Sequence, residues 1–177
     1  AERVFIIGTP RFQKYYDIEF VKERSRFNFP YILFCGCNLP FDELSTLKQL
    51  DYIVSKHSDV FKNTKILYRP HPWRAPRECF DLFNKLDFKK VEIDPQVADA
   101  YYRKGNSKEF LPDLNYYPIL LKNALFVVGP LTTMLIESLI CGKEVLALAY
   151  DDGVHISSPH NAYRYYPHFR GIDRIKG

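Results

Sequence analysis

The sequence predicts a three-layer α/β domain, with a parallel sheet of about six strands held between helices. Two observations predict it. Short, wholly apolar runs recur along the chain without polar alternation, which is how strands buried on both faces read. Longer segments with apolar residues at helical spacing stand between them, which implies right-handed βαβ units. Of the 177 residues, 46% are hydrophobic, enough to build one core.

Val4 to Gly8 (VFIIG) reads as the first strand, closed by Gly8-Thr9-Pro10. Arg11 to Arg24 mixes aromatic and charged residues and reads as helical. Tyr31 to Gly36 (YILFCG) is the second strand. After a loop, Asp42 caps a helix over residues 43 to 58, whose Leu44, Leu47, Leu50, Ile53 and Val54 share one face. Lys65 to Tyr68 is the third strand, and Pro76 opens a helix running to about Leu86. Lys90 to Ile93 is the fourth strand. Residues 95 to 113 read as a long loop. Leu114 to Asn123 is a short helix that tolerates Pro118 near its start. Leu125 to Val128 is the fifth strand, Thr133 to Cys141 a helix stopped by Gly142, and Glu144 to Tyr150 the sixth strand. Beyond it the chain is polar and aromatic, with no clear regular element.

The formal net charge of +4 is too small and too dispersed for a dedicated nucleic-acid binder, so no nucleic-acid partner is expected. It suits an anionic small ligand or an anionic membrane surface. No apolar run reaches the roughly 18 residues that span a bilayer, and no secretory leader is visible. Cys35 and Cys37 are too close for a zinc-binding pair. The four cysteines therefore read as free thiols of a reducing, cytoplasmic compartment, and no metal is expected. His155, His160 and His168 with Asp151 and Asp152 match no metal spacing; the two acids could contact an acceptor or a sugar.

In open parallel sheets, ligands bind beyond the carboxyl ends of the strands. The residues to inspect are therefore Gly36, the segment Arg69 to Arg74, Gly129 to Thr133, and Asp151 to Gly153. Gly129-Pro-Leu-Thr-Thr133 ends a strand and opens a helix, whose free N–H groups and dipole favour an anion. A plain N-cap by Thr132 or Thr133 explains the same residues. Glu137 lies one turn on from Thr133, where a carboxylate can accept from ribose hydroxyls or stay solvated or ion-paired. In Arg69-Pro-His-Pro72, two prolines fix the backbone around His71, with Arg74 and Arg77 following and Lys62 and Lys65 before. An anion there would satisfy these cations; a proline-rich turn with an exposed histidine is the plainer alternative. Trp73 reads as a packing residue. No G-x-S-x-G, Walker A or G-x-G-x-x-G motif occurs.

The order of these motifs resembles the C-terminal, donor-binding half of a GT-B-type glycosyltransferase, most closely the bacterial surface-polysaccharide transferases with their CDP-glycerol and Kdo relatives. The resemblance runs over most of the chain, and is carried by IGTPRF (Ile7 to Phe12), FCG (Phe34 to Gly36), RPHP (Arg69 to Pro72) and LLKNALFVVGPLTTMLIESLICGK (Leu120 to Lys143). Gln13 stands where the family has aspartate, a threonine pair where relatives often show serine, and Glu144 where proline is frequent. The resemblance implies a Rossmann-like domain over 1–177, forming the second half of a longer two-domain enzyme, inactive alone. It implies a UDP-, CDP-, CMP- or GDP-linked donor, held by Gly36, Arg69, His71, Gly129, Thr132, Thr133 and Glu137. Of these, His71, Thr132 and Thr133 would hold phosphate, His71 stabilising the leaving group, and Glu137 would hold ribose. No tightly bound cofactor is implied. Glycan acceptor and catalytic base would come from the other half, with contact at the inner membrane face as a further partner. Two other readings stand beside this one: a sugar-nucleotide 2-epimerase of the same fold, and a non-catalytic module docking on a partner or an anionic membrane.

Overall fold

The computed structural model describes residues 10–18, 25–71, 83–104, 113, 115–155, 159–172 and 174–175. The expected strand at Val4 to Gly8, most of the helix after Pro76, and Trp73, Arg74, Arg77 and Cys79 lie outside them.

Six strands form one parallel sheet: β1 (Tyr31–Cys35), β2 (Lys65–Arg69), β3 (Val91–Ile93), β4 (Val127–Gly129), β5 (Val145–Leu148) and β6 (Arg174–Ile175). Their order is β3-β2-β1-β4-β5-β6. The chain leaves the central strand β1 toward β2 and β3, then returns to β1's other side as β4. The direction of winding therefore reverses between β1 and β4, the place where open sheets of this kind bind ligands beyond the carboxyl ends of their strands.

The alternation of β1 shows why both faces are covered. Tyr31, Leu33 and Cys35 enter one apolar cluster with Tyr116, Tyr117, Leu120, Leu121 and Leu135. Ile32 and Phe34 enter another with Leu47, Val54, Ile66 and Tyr68. The first cluster is supplied by α1 (Gln13–Asp17), α5 (Tyr116–Asn123) and α6 (Thr133–Ile140), the second by α2 (Glu43–Lys56). A Rossmann-like three-layer arrangement results. A four-residue helix, α3 (Ser58–Phe61), follows α2. Asp42 caps α2 as expected, its carboxylate accepting from the Ser45 N–H at 3.0 Å. Gly142, at φ +68°, closes the turn after α6.

Two expectations fail. Residues 95 to 113 are not all loop: Pro95–Lys104 form a helix, α4, with Asp94 at its cap accepting from the Gln96 N–H at 3.0 Å. Asp-Pro-Gln is a helix-start signal, proline being favoured at the first helical position. The tail is also ordered, as α7 (Pro159–Tyr165) and the edge strand β6. Phe169 and Ile172, both buried, anchor that stretch to the core.

Candidate functional site

The carboxyl ends of β2, β1 and β4 stand side by side, and this sets the places of the expected site residues. Gly36 follows β1. Its N–H donates to the Arg69 carbonyl at 2.8 Å, so it has no backbone donor left for a ligand. A Cβ at Gly36 would lie 2.9 Å from the His71 nitrogen, which puts the start of the proline-clamped segment directly beside the β1 turn. Gly129 ends β4 with its α-carbon against the Cys35 backbone, where any side chain would collide. His71, Gly36 and the start of α6 thus line one edge in the order β2, β1, β4, spanning roughly 10 Å at the usual strand spacing.

Thr132 is the N-cap of α6, its hydroxyl accepting from the Met134 N–H at 3.5 Å. That bond is long, and the hydroxyl keeps a proton to donate. Thr133 is exposed at the helix start. Glu137, one turn further, is 1% exposed, and the Tyr15 hydroxyl donates to its Oε2 at 2.6 Å.

Arg69 is only 4% exposed. It lies 4.2 Å from the centre of the Tyr117 ring, donates to that ring's hydroxyl, and holds Asp94 loosely, Nε to Oδ2 at 3.7 Å. Those two atoms have no hydrogen-bond partner among the described residues. Burial raises the Asp94 carboxyl, against the opposing pull of the Tyr116 hydroxyl, Arg69 and the Gln96 N–H. Burial likewise pushes the Tyr117 hydroxyl up to about 12, with Arg69 opposing. The Cys35 thiol, at the centre of this cluster, is pushed up to about 12 by burial, partly offset by Arg69.

Lys62 and Lys65 are not near His71. They precede or open β2 while His71 follows its other end, and Lys65 pairs with Glu92 and covers the Phe29 ring at 4.5 Å. Among the described residues no group of acids, histidines and cysteines could hold a metal ion. No helix among them is long and apolar enough to cross a membrane. The described cysteines, Cys35, Cys37 and Cys141, are free thiols.

Sequence reasoning passed over Glu43. At the first position of α2 it is buried, accepting from the Cys37 N–H at 2.9 Å and the Tyr68 hydroxyl at 2.7 Å, and its Oε2 faces Gly36. It also passed over the tyrosines. Tyr15, Tyr68 and Tyr116 each donate to a buried carboxylate at this edge: Glu137, Glu43 and Asp94, the last at 2.8 Å. The only hint in the sequence was an acid placed straight after a strand or a helix cap.

No family model matches the chain, and no curated protein matches it. Among solved structures, it is distantly similar to KpsC of Thermosulfurimonas dismutans, a beta Kdo 2,4 transferase, at 15% identity and a TM-score of 0.43. The match covers 80% of this chain and 46% of that one, so the chain spans less than half of that protein's length.

Proposed function

We propose that this chain is the donor-binding domain of a glycosyltransferase, taking a nucleotide-activated sugar or glycerol-type donor for surface-polysaccharide synthesis. The observation that supports it is the gathering of Gly36, His71, Gly129, the α6 start at Thr132 and Thr133, and Glu137 along the carboxyl edge where the sheet reverses. Phosphate would lie between His71 and the α6 N-terminus, which supplies N–H donors and a positive dipole end. Ribose would meet Glu137 by displacing the Tyr15 hydroxyl. Arg69, being buried, would act through field and framework rather than by touching phosphate. The departing nucleotide carries negative charge, and preorganised donors at its phosphate lower the barrier to departure.

Titration calorimetry with UDP, CDP, CMP and GDP tests this. At least one should bind, and His71→Ala should weaken it by roughly 10-fold or more, the size of a lost hydrogen bond to a charged group. Glu137→Gln should weaken nucleotides but not inorganic pyrophosphate. Absence of binding to all four nucleotides would sink the reading and favour a docking module.

A further inference from the structure

The loop after β5 carries groups that these nucleotide contacts leave unused. Asp152 has a side chain only 4% exposed. It accepts backbone N–H groups from Asp42 at 2.9 Å, Val154 at 3.0 Å and His155 at 2.9 Å. Its Oδ2 also lies 2.7 Å from Nδ1 of the His155 ring. Burial alone would raise the Asp152 carboxyl, but these hydrogen bonds outweigh it and hold the group well below the usual carboxylate range. An ionised carboxylate can only accept, so the proton between them sits on Nδ1. In the neutral ring the lone pair is then on Nε2. No described residue binds Nε2, and the ring is 32% exposed.

The position of the pair matters as much as its chemistry. The bond to Asp42 ties the loop after β5 to the turn after β1, two strands that β4 separates in the sheet. Asp42 caps the helix whose next residue, Glu43, faces Gly36, itself beside the start of the segment that carries His71. Tyr150 fastens the same loop, its hydroxyl 2.8 Å from Thr46 Oγ1 and its ring edge-on to Phe41. The imidazole is therefore fixed at the carboxyl edge of the sheet, beside the cap of α2.

We propose that His155, oriented by Asp152, is the general base for the hydroxyl that attacks the donor; this rests on the glycosyl-transfer reading above. An alcohol or water oxygen forms a bond to the donor's glycosyl carbon. The bond from that carbon to the phosphate oxygen breaks, and its electron pair leaves with the nucleotide. The hydroxyl proton passes to Nε2 of His155 and then to solvent. Asp152 is a positioning residue, holding the tautomer that leaves Nε2 free to accept. The base is then built into this chain, instead of coming from another half of the enzyme.

The test is nucleotide release from UDP-, CDP-, CMP- and GDP-linked sugars by the chain, with water or glycerol as acceptor, alongside calorimetry of nucleotide affinity. His155→Gln should lower turnover roughly 100-fold or more while affinity stays within about two-fold. Asp152→Asn should do the same, because an amide can donate to Nδ1 and send the ring proton to Nε2. Imidazole ¹⁵N shifts should show the Nδ1-protonated ring in the wild type and its loss in Asp152→Asn. Turnover in His155→Gln within about three-fold of wild type overturns the proposal. So does a wild-type chain that binds nucleotide yet releases none from any donor. If no nucleotide binds at all, the transferase reading itself falls, and this proposal with it.

Discussion

Replacing Gly36 by alanine tests how the site is held together. Its backbone does not lie in the left-handed region, so the cost is one of space. The added Cβ would meet Glu43 Oε2 at 2.6 Å, the His71 nitrogen at 2.9 Å and Pro70 Cα at 3.1 Å. Two of these are backbone atoms and cannot swing away. The third can move only by loosening the carboxylate that binds the Cys37 N–H and the Tyr68 hydroxyl. Overpacking costs about 1–3 kcal/mol, and a weakened hydrogen bond to a buried charged group about 1.5–3 kcal/mol. Because relief of one contact lessens the other, roughly 2–4 kcal/mol is expected in all. Urea unfolding with an unchanged slope measures it. Gly142→Ala is the reference: nothing lies within 4 Å of its Cβ, so only the φ of +68° is penalised, at about 1 kcal/mol. A loss in Gly36→Ala no greater than in Gly142→Ala would refute the reasoning. Adding Glu43→Ala to Gly36→Ala should recover little if the backbone of residues 70 and 71 is the main obstacle.

Three further outcomes are expected. Thr132→Ala should cost about 0.5–1 kcal/mol in urea unfolding, the low end for an N-cap because its bond is 3.5 Å long. The Cys35 thiol, pushed up to about 12 by burial, should resist iodoacetamide at pH 8 in the folded chain and react once urea unfolds it. Asp152 is held below its ordinary value of 3.8, so its stabilisation is fully present above that value and is lost as pH falls. The stability gap between wild type and Asp152→Ala, followed by urea unfolding from pH 7 to pH 3, should therefore hold above about pH 5 and narrow below it.

The sheet was legible because burial on both faces leaves a strong mark: Tyr31 to Cys35 and Leu67 to Tyr68 are apolar without interruption and fully enclosed. Helix α4 was not legible because its start signal rests on Asp94 and Pro95 alone. Strand β6 was missed because two residues carry no periodicity; pairing with Ala147 and Leu148 defines it. At the site, glycines and the α6 start could be found from strand ends alone. Glu43, Asp94 and Glu137 each find a tyrosine at least twenty positions away in sequence, and no local pattern reports such a meeting.

Those tyrosines bear on how an anion could be held here. Three carboxylates are buried at the carboxyl edge, against one buried guanidinium among the described residues. Burial raises the Asp94 carboxyl against the pull of Tyr116 and Arg69, and the hydroxyls of Tyr15 and Tyr68 donate to Glu137 and Glu43 without adding charge of their own. A tyrosine partner also gives way more readily than a cation, since its phenol can be hydrated or replaced by another hydroxyl at small cost. Ribose carries two such hydroxyls. At Glu137, a hydroxyl of an incoming ligand could thus take the place of the Tyr15 hydroxyl at little cost in hydrogen bonds.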